Sequence, residues 1–142
     1  MPETFDLRAV EKAVAGTEFA RHLHHLASVP STNDLALAVA RAGGREGVWI
    51  ADQQTAGRGR GSHRWHSTAG DGLYMTALIA PQIPMKSALN LSLITAIAVQ
   101  SAIASTFGFR VPGEIDIRWP NDLILNGRKV GGILIDTASN PA

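Results

Sequence analysis

Asn126-Gly127 separates two short apolar runs, Asp122–Leu125 and residues 128–136. Asn-Gly is the favoured pair of a type I′ turn, whose twist matches that of two antiparallel strands. The pair therefore predicts a tight hairpin, and most helical arrangements of this segment are excluded. Gly131-Gly132 just beyond it allows a bulge or the close approach of another backbone. Upstream, residues 114–119 (EIDIRW) alternate, with Ile115, Ile117 and Trp119 on one face and Asp116 and Arg118 on the other. That is a half-buried strand, stopped by Pro120.

The rest of the chain mixes helices and strands. Asp6 is placed to cap a helix over 6–14, ended by Gly16 and Thr17. Ser31, Thr32 or Asn33 can cap the helical run LALAVARA, and Gly43-Gly44 supplies its stop. Residues 47–52 and 72–80 are apolar runs of strand length. Pro81 and Pro84 break the chain before the longest helix, 87–107, with Gly108 as its stop. Its apolar positions, among them Leu93, Ile94 and Ile97, require a sheet to lie against. Asn90, Ser92, Thr95, Gln100 and Ser101 mark it as a buried amphipathic helix, not a membrane span. Pro112-Gly113 predicts a turn, and residues 137–142 a loop. With no regular βαβ alternation, the expected class is α+β: one mixed sheet with helices mainly on one face.

Composition narrows the functions. The chain has 142 residues, 45% hydrophobic, enough for one domain with a core. A net charge of +1 argues against a dedicated nucleic-acid binder. Cysteine is absent, so a disulfide framework, a thiolate nucleophile and a cysteine-ligated zinc site are excluded. The first residues are acidic and mixed, without the basic and apolar regions of a signal peptide, and a cytoplasmic protein is expected. His22, His24 and His25 read as ordinary, partly exposed histidines. On a strand His22 and His24 share a face with no carboxylate nearby, and a metal site needs more ligands.

Chemistry concentrates in residues 54–65, QTAGRGRGSHRW. Gly57, Gly59 and Gly61 alternate with Arg58 and Arg60. Glycine permits positive φ and close approach to a ligand, and arginine's planar fork suits carboxylate and phosphate oxygens. A mobile loop closing over an anion is the expectation. It is neither a P-loop nor a dinucleotide fingerprint, because the terminal Gly-Lys-Ser/Thr and the third glycine at its spacing are both missing.

Three blocks now stand in order: SVPSTN (28–33), QTAGRGRGSHRW (54–65) and RWPNDLILNGRKVGGIL (118–134). Together they resemble the biotin protein ligases, the biotin–[acetyl-CoA-carboxylase] ligase family, from about residue 20 onward. The resemblance implies the biotin/lipoate ligase catalytic fold, which is like that of class II aminoacyl-tRNA synthetases. It also implies a two-step reaction. Biotin and MgATP give biotinyl-5′-AMP and pyrophosphate, and a lysine of a biotin carboxyl carrier domain, such as that of acetyl-CoA carboxylase, then displaces AMP.

By this resemblance Ser31, Thr32, Asn33 and Gln54 bind biotin. Gly57, Arg58, Gly59 and Arg60 cover biotin and adenylate. Lys129 stands where the carboxylate meets the α-phosphate, and Lys129, Arg58 and Arg60 are the catalytic group. Trp65, Arg118 and Asn121 belong to the nucleotide side, with Trp119 and Pro120 beside them, and Asp122 is a candidate for placing magnesium. Biotin, ATP and the carrier are the implied partners. A homodimer is compatible with it, and neither a membrane nor sequence-specific DNA is implied. A lipoate ligase or octanoyltransferase of the same fold class is the competing enzyme reading, and an inactive ligase fragment is another.

Some residues depart from the family pattern. Arg118 stands where lysine is frequent, Gly61 and Ser62 where the loop often continues with a basic residue and glycine, and His63 where arginine is frequent. Within the family frame residues 1–19 are an N-terminal helix and 20–142 the motif-bearing core. The expected form is a C-terminally truncated catalytic domain. It would lack the SH3-like domain and, being short before Ser28, a DNA-binding domain, as in the monofunctional type.

Overall fold

The computed structural model describes residues 5–107 and 113–139. The expectations for Gly108 as a helix stop and for Pro112 in a turn fall outside these residues, as does the end of the predicted 137–142 loop. The chain divides into two compact units. One comprises the chain up to Pro81 and again from Asp136 onward; the other is Gln82–Ile135.

The first unit opens with α1 (Leu7–Val14), whose cap Asp6 accepts a 3.1 Å bond from the Ala9 amide. Strand β1 (Leu23–Leu26) runs parallel to β2 (Gly47–Ala51), and β2 pairs antiparallel with β3 (Tyr74–Leu78). This sheet is mixed, as expected. Every residue of β2 is buried, which fits a central strand with both edges paired. Helix α2 (Thr32–Arg41) packs on β2 and β3. Its end is a Schellman turn: the Gly44 amide bonds to the Val39 carbonyl at 2.9 Å and the Gly43 amide to that of Ala40 at 3.0 Å. Gly43 sits at φ +94°, which explains its residue type.

The second unit holds α3 (Ala88–Phe107) and three antiparallel strands, β4 (Ile115–Arg118), β5 (Asp122–Leu125) and β6 (Arg128–Gly132). Asn126 at φ +49° and Gly127 at φ +76° form the turn that their residue types predict. A bulge falls opposite Leu123/Ile124, where Leu123 pairs with Gly131 and Ile124 with Lys129. A Cβ on Gly131 would come within 3.1 Å of Leu123 Cδ1, so the glycine is needed for close approach.

Three expectations need correction. The class is α+β, but the described strands form two three-stranded sheets and not one. Trp119 lies past the end of β4 and is 75% exposed, because the chain leaves the strand before its turn in the alternation arrives. Helix α3 is not a buried helix with one polar face. It is apolar around its circumference; Ala96 is fully buried, while Ile94 and Ile97 are exposed. By length and composition it is, among the described residues, the one helix able to cross a membrane. Its polar residues nonetheless tie it to its own sheet: Ser92 donates to the Pro120 carbonyl at 3.2 Å and Gln100 to that of Ile115. A narrow sheet of three strands covers only a stripe of so apolar a helix, which leaves the other side exposed.

Candidate functional site

In the first unit the start of α2 meets the exit of β2. Ser31 caps the helix with extended backbone, is 1% exposed, and makes no side-chain capping bond. The open Thr32 amide is instead satisfied by Gln54, whose Oε1 accepts from Thr32 N at 2.9 Å and from Thr32 Oγ1 at 3.1 Å. Gln54 Nε2 donates to Ser67 Oγ at 2.9 Å. Thr76 Oγ1, from β3, lies 2.8 Å from Thr32 Oγ1 and 2.5 Å from Asn33 Oδ1; its single proton serves one of them. Thr32, Asn33 and Gln54 are thus brought together in a continuous network of neutral donors and acceptors, with the buried Ser31 adjoining Thr32 in the chain. Among the described residues no buried side-chain nitrogen or oxygen lacks a partner.

The glycine–arginine loop is pinched into a ribbon. Gln54 bridges Ser67, and Arg58 bridges Arg64. The Trp65 amide bonds to the Gly57 carbonyl at 2.8 Å, and the Gly59 amide to that of His63 at 2.7 Å. Of the three glycines only Gly61 takes positive φ, at +66°. Gly57 and Gly59 are small for a different reason. A Cβ on Gly57 would collide with the Trp65 carbonyl oxygen and stand 2.7 Å from Ser67 Oγ; one on Gly59 would stand 3.2 Å from His63. Arg60 is exposed and makes no ion pair with a described residue. Arg58 is held: its Nη1 donates to Asp34 Oδ1 at 3.0 Å and to Asp136 Oδ2 at 2.7 Å. Asp136 Oδ2 also accepts from Asn33 Nδ2 at 3.3 Å.

In the second unit Lys129 Nζ is 2.7 Å from Asp122 Oδ1, and the two side chains are 41% and 23% exposed. Asp122 was the candidate magnesium ligand; its carboxylate is engaged by this ammonium. Among the described residues no group of three histidines or acids is placed to hold a metal ion. Asn121 Nδ2 donates to the Ile133 carbonyl at 3.1 Å while the Ile133 amide returns a 2.8 Å bond to the Asn121 carbonyl. This amide therefore braces the end of the hairpin. Arg118 closes β4 opposite Asp122 and is exposed. Trp65 is half-buried.

Sequence reading missed four members of the first unit's network: Asp34, Ser67, Thr76 and Asp136. Asp34 adjoins the capping block and was the most findable. Ser67, Thr76 and Asp136 carry no local signal. The histidines differ from expectation too. His25 Nε2 is 2.7 Å from Asp52 Oδ1 and His22 Nε2 3.7 Å from Glu46 Oε1, so carboxylates are near after all. They flank β2, Glu46 just before it and Asp52 just after it, and the parallel pairing of β1 with β2 brings them alongside. His24 stacks on Trp49 at a centroid distance of 5.5 Å.

A wall of neutral donors and acceptors beside a fixed guanidinium, on an α+β scaffold, has the chemistry that a small polar molecule carrying an anionic group calls for. Residues 25–141 match the biotin/lipoate A/B protein ligase family, and the chain belongs to that family. It is 39% identical over 117 residues to the bifunctional ligase/repressor BirA of Bacillus spizizenii, covering 82% of this chain and 35% of that protein. It is 37% identical over 116 residues to the biotin–[acetyl-CoA-carboxylase] ligase of Paracoccus denitrificans, covering 81% and 47%. The biotin protein ligase of Leishmania major, solved with biotinyl-5-AMP, superimposes with a TM-score of 0.71 at 32% identity, over 84% of this chain and 53% of that one. The chain therefore spans between about a third and a half of these relatives' lengths.

Proposed function

We propose that this chain carries the biotin-activating part of a biotin–protein ligase, which joins biotin to ATP as biotinyl-5′-AMP and passes the biotinyl group to a carrier lysine. The observation that carries the reading is the Asn33–Thr76–Thr32–Gln54 network ending beside Arg58. An uncharged ureido ring needs neutral donors and acceptors in fixed orientation, and a carboxylate needs a guanidinium; the first unit holds both. Ser31, whose hydroxyl is not spent on capping, fits the same role. In the same unit Arg60 supplies charge for the phosphates of the adenylation step, where a carboxylate must approach a triphosphate; Lys129 is assigned to that step by its motif block alone. That step depends on positioning and electrostatic stabilisation.

Magnesium enters with ATP in the proposed reaction. The described residues offer it no protein-built cage, and Asp122 serves Lys129. An ion that keeps most of its waters and binds substrate phosphates needs no such cage. The carrier is a biotin carboxyl carrier domain such as that of acetyl-CoA carboxylase. The test is incubation of the intact protein with biotin and ATP, followed by mass spectrometry for biotinyl-AMP. Formation of the adenylate from lipoate in preference to biotin would move the assignment to the lipoate branch of the family.

A further inference from the structure

We infer that Asp136 is a positioning residue, whose one carboxylate oxygen sets both Asn33 and Arg58 in their ligand-binding orientation. This rests on the proposal that Asn33 and Arg58 bind ligand, and it adds a residue outside the three motif blocks.

The geometry supports it in two ways. A carboxylate can only accept, so Asp136 Oδ2 at 3.3 Å selects the Nδ2 side of the Asn33 amide. That turns Asn33 Oδ1 toward Thr76 Oγ1, 2.5 Å away, and thereby orients the hydroxyl that adjoins Thr32, the residue bonded to Gln54. The same Asp136 oxygen takes the Arg58 Nη1 proton at 2.7 Å, while Asp34 takes the other at 3.0 Å. Both contacts fall on one nitrogen. Nε and Nη2 make no hydrogen bond with a described residue, and together they form the edge that grips an anion through two parallel bonds. Arginine otherwise carries large rotamer entropy. Fixing the guanidinium beforehand spares an arriving ligand that cost. Asp136 side-chain exposure is 26%, against 54% for Asp34, so Asp136 is the more enclosed of the two anchors.

The experiment compares Asp136→Asn, Asp136→Glu and Arg58→Gln in the intact protein. Tryptic cleavage after Arg58 and the biotin dissociation constant are measured beside the melting temperature. Asp136→Asn, folded, is expected to be cut after Arg58 several-fold faster and to bind biotin roughly tenfold more weakly, the scale of a lost hydrogen bond to a charged group. Asp136→Glu, which keeps the charge, recovers part of the affinity. In an Arg58→Gln background the Asp136→Asn effect on biotin shrinks, since the partner is already gone. Wild-type cleavage and affinity in folded Asp136→Asn overturns the proposal, and so does an equal effect in both backgrounds. Failure of Asp136→Asn to fold while Arg58→Gln folds normally also overturns it, because Asp136 then serves the fold and not the arginine. If the wild type binds no biotin but Asp136→Asn is still cut faster, the ligase reading falls and the anchoring of Arg58 stands.

Discussion

Lys129 and Asp122 face each other diagonally across the β5–β6 hairpin, with Nζ 2.7 Å from Oδ1. Lys129 is opposite Ile124, and Asp122 lies two residues away on the same face. The ion pair steadies a long side chain that would otherwise sample several rotamers, and it keeps the ammonium at one place on the hairpin.

Replacing Lys129 with alanine should lower single-turnover formation of biotinyl-AMP roughly 10²–10³-fold, the scale for loss of one preorganised charge. The pair is partly exposed, so stability should fall by about 1 kcal/mol or less. Lys129→Arg should recover activity only in part, since a planar fork does not replace a compact ammonium. Wild-type adenylation by folded Lys129→Ala removes this lysine from the reaction.

Gly57→Ala should damage the loop through space, not through φ. The new methyl would meet the Trp65 carbonyl and Ser67 Oγ, the hydroxyl that holds Gln54. Forcing these apart should cost about 1–3 kcal/mol and weaken biotin binding together with it. Gly61→Ala should leave Gln54 alone, since a Cβ there meets nothing within 4 Å; its cost is confined to the positive φ. Equal loss of biotin affinity in the two variants would contradict this division.

Biotinyl-AMP should protect the loop from trypsin at Arg60. In the free protein this arginine is exposed and lacks a described ion-pair partner, whereas Arg58 is tied to two carboxylates. Cleavage should therefore begin after Arg60 and slow several-fold once ligand is present. Identical rates with and without ligand would show that the loop does not close on it.

Tyr74 should ionise late. Burial first, and the negative charge of Asp71 second, hold its hydroxyl protonated beyond the ordinary value of 10.0. The hydroxyl also donates to the Thr68 carbonyl at 3.0 Å. From pH 10.0 upward the unfolded chain loses this proton while the folded chain keeps it. Stability from this group is thus complete below that pH and declines as pH rises through the folded value. The chain has one tyrosine, so tyrosinate absorbance reads it directly. The native midpoint should lie above that of the same chain in urea; coincident midpoints would refute the shift.

The sequence by itself determined what depends on a few adjacent residues. Asn126-Gly127 both take the positive φ that their types favour, and the hairpin follows. Asp6 caps α1, and Gly43-Gly44 closes α2, because caps are settled within one turn. The three motif blocks were legible for the same reason: each is contiguous. The tertiary structure decided the partnerships between blocks. Arg58 reaches Asp34 across 24 residues and Asp136 across 78, and Asn33 reaches Asp136 across 103. No local pattern encodes such distances; they depend on where β2, β3 and the chain after Ile135 run in space. The same holds for Gly57, whose smallness answers a carbonyl eight residues away and not its own φ. It holds also for the division of the strands into two sheets, which hydrogen-bond pairing sets and hydrophobic alternation does not.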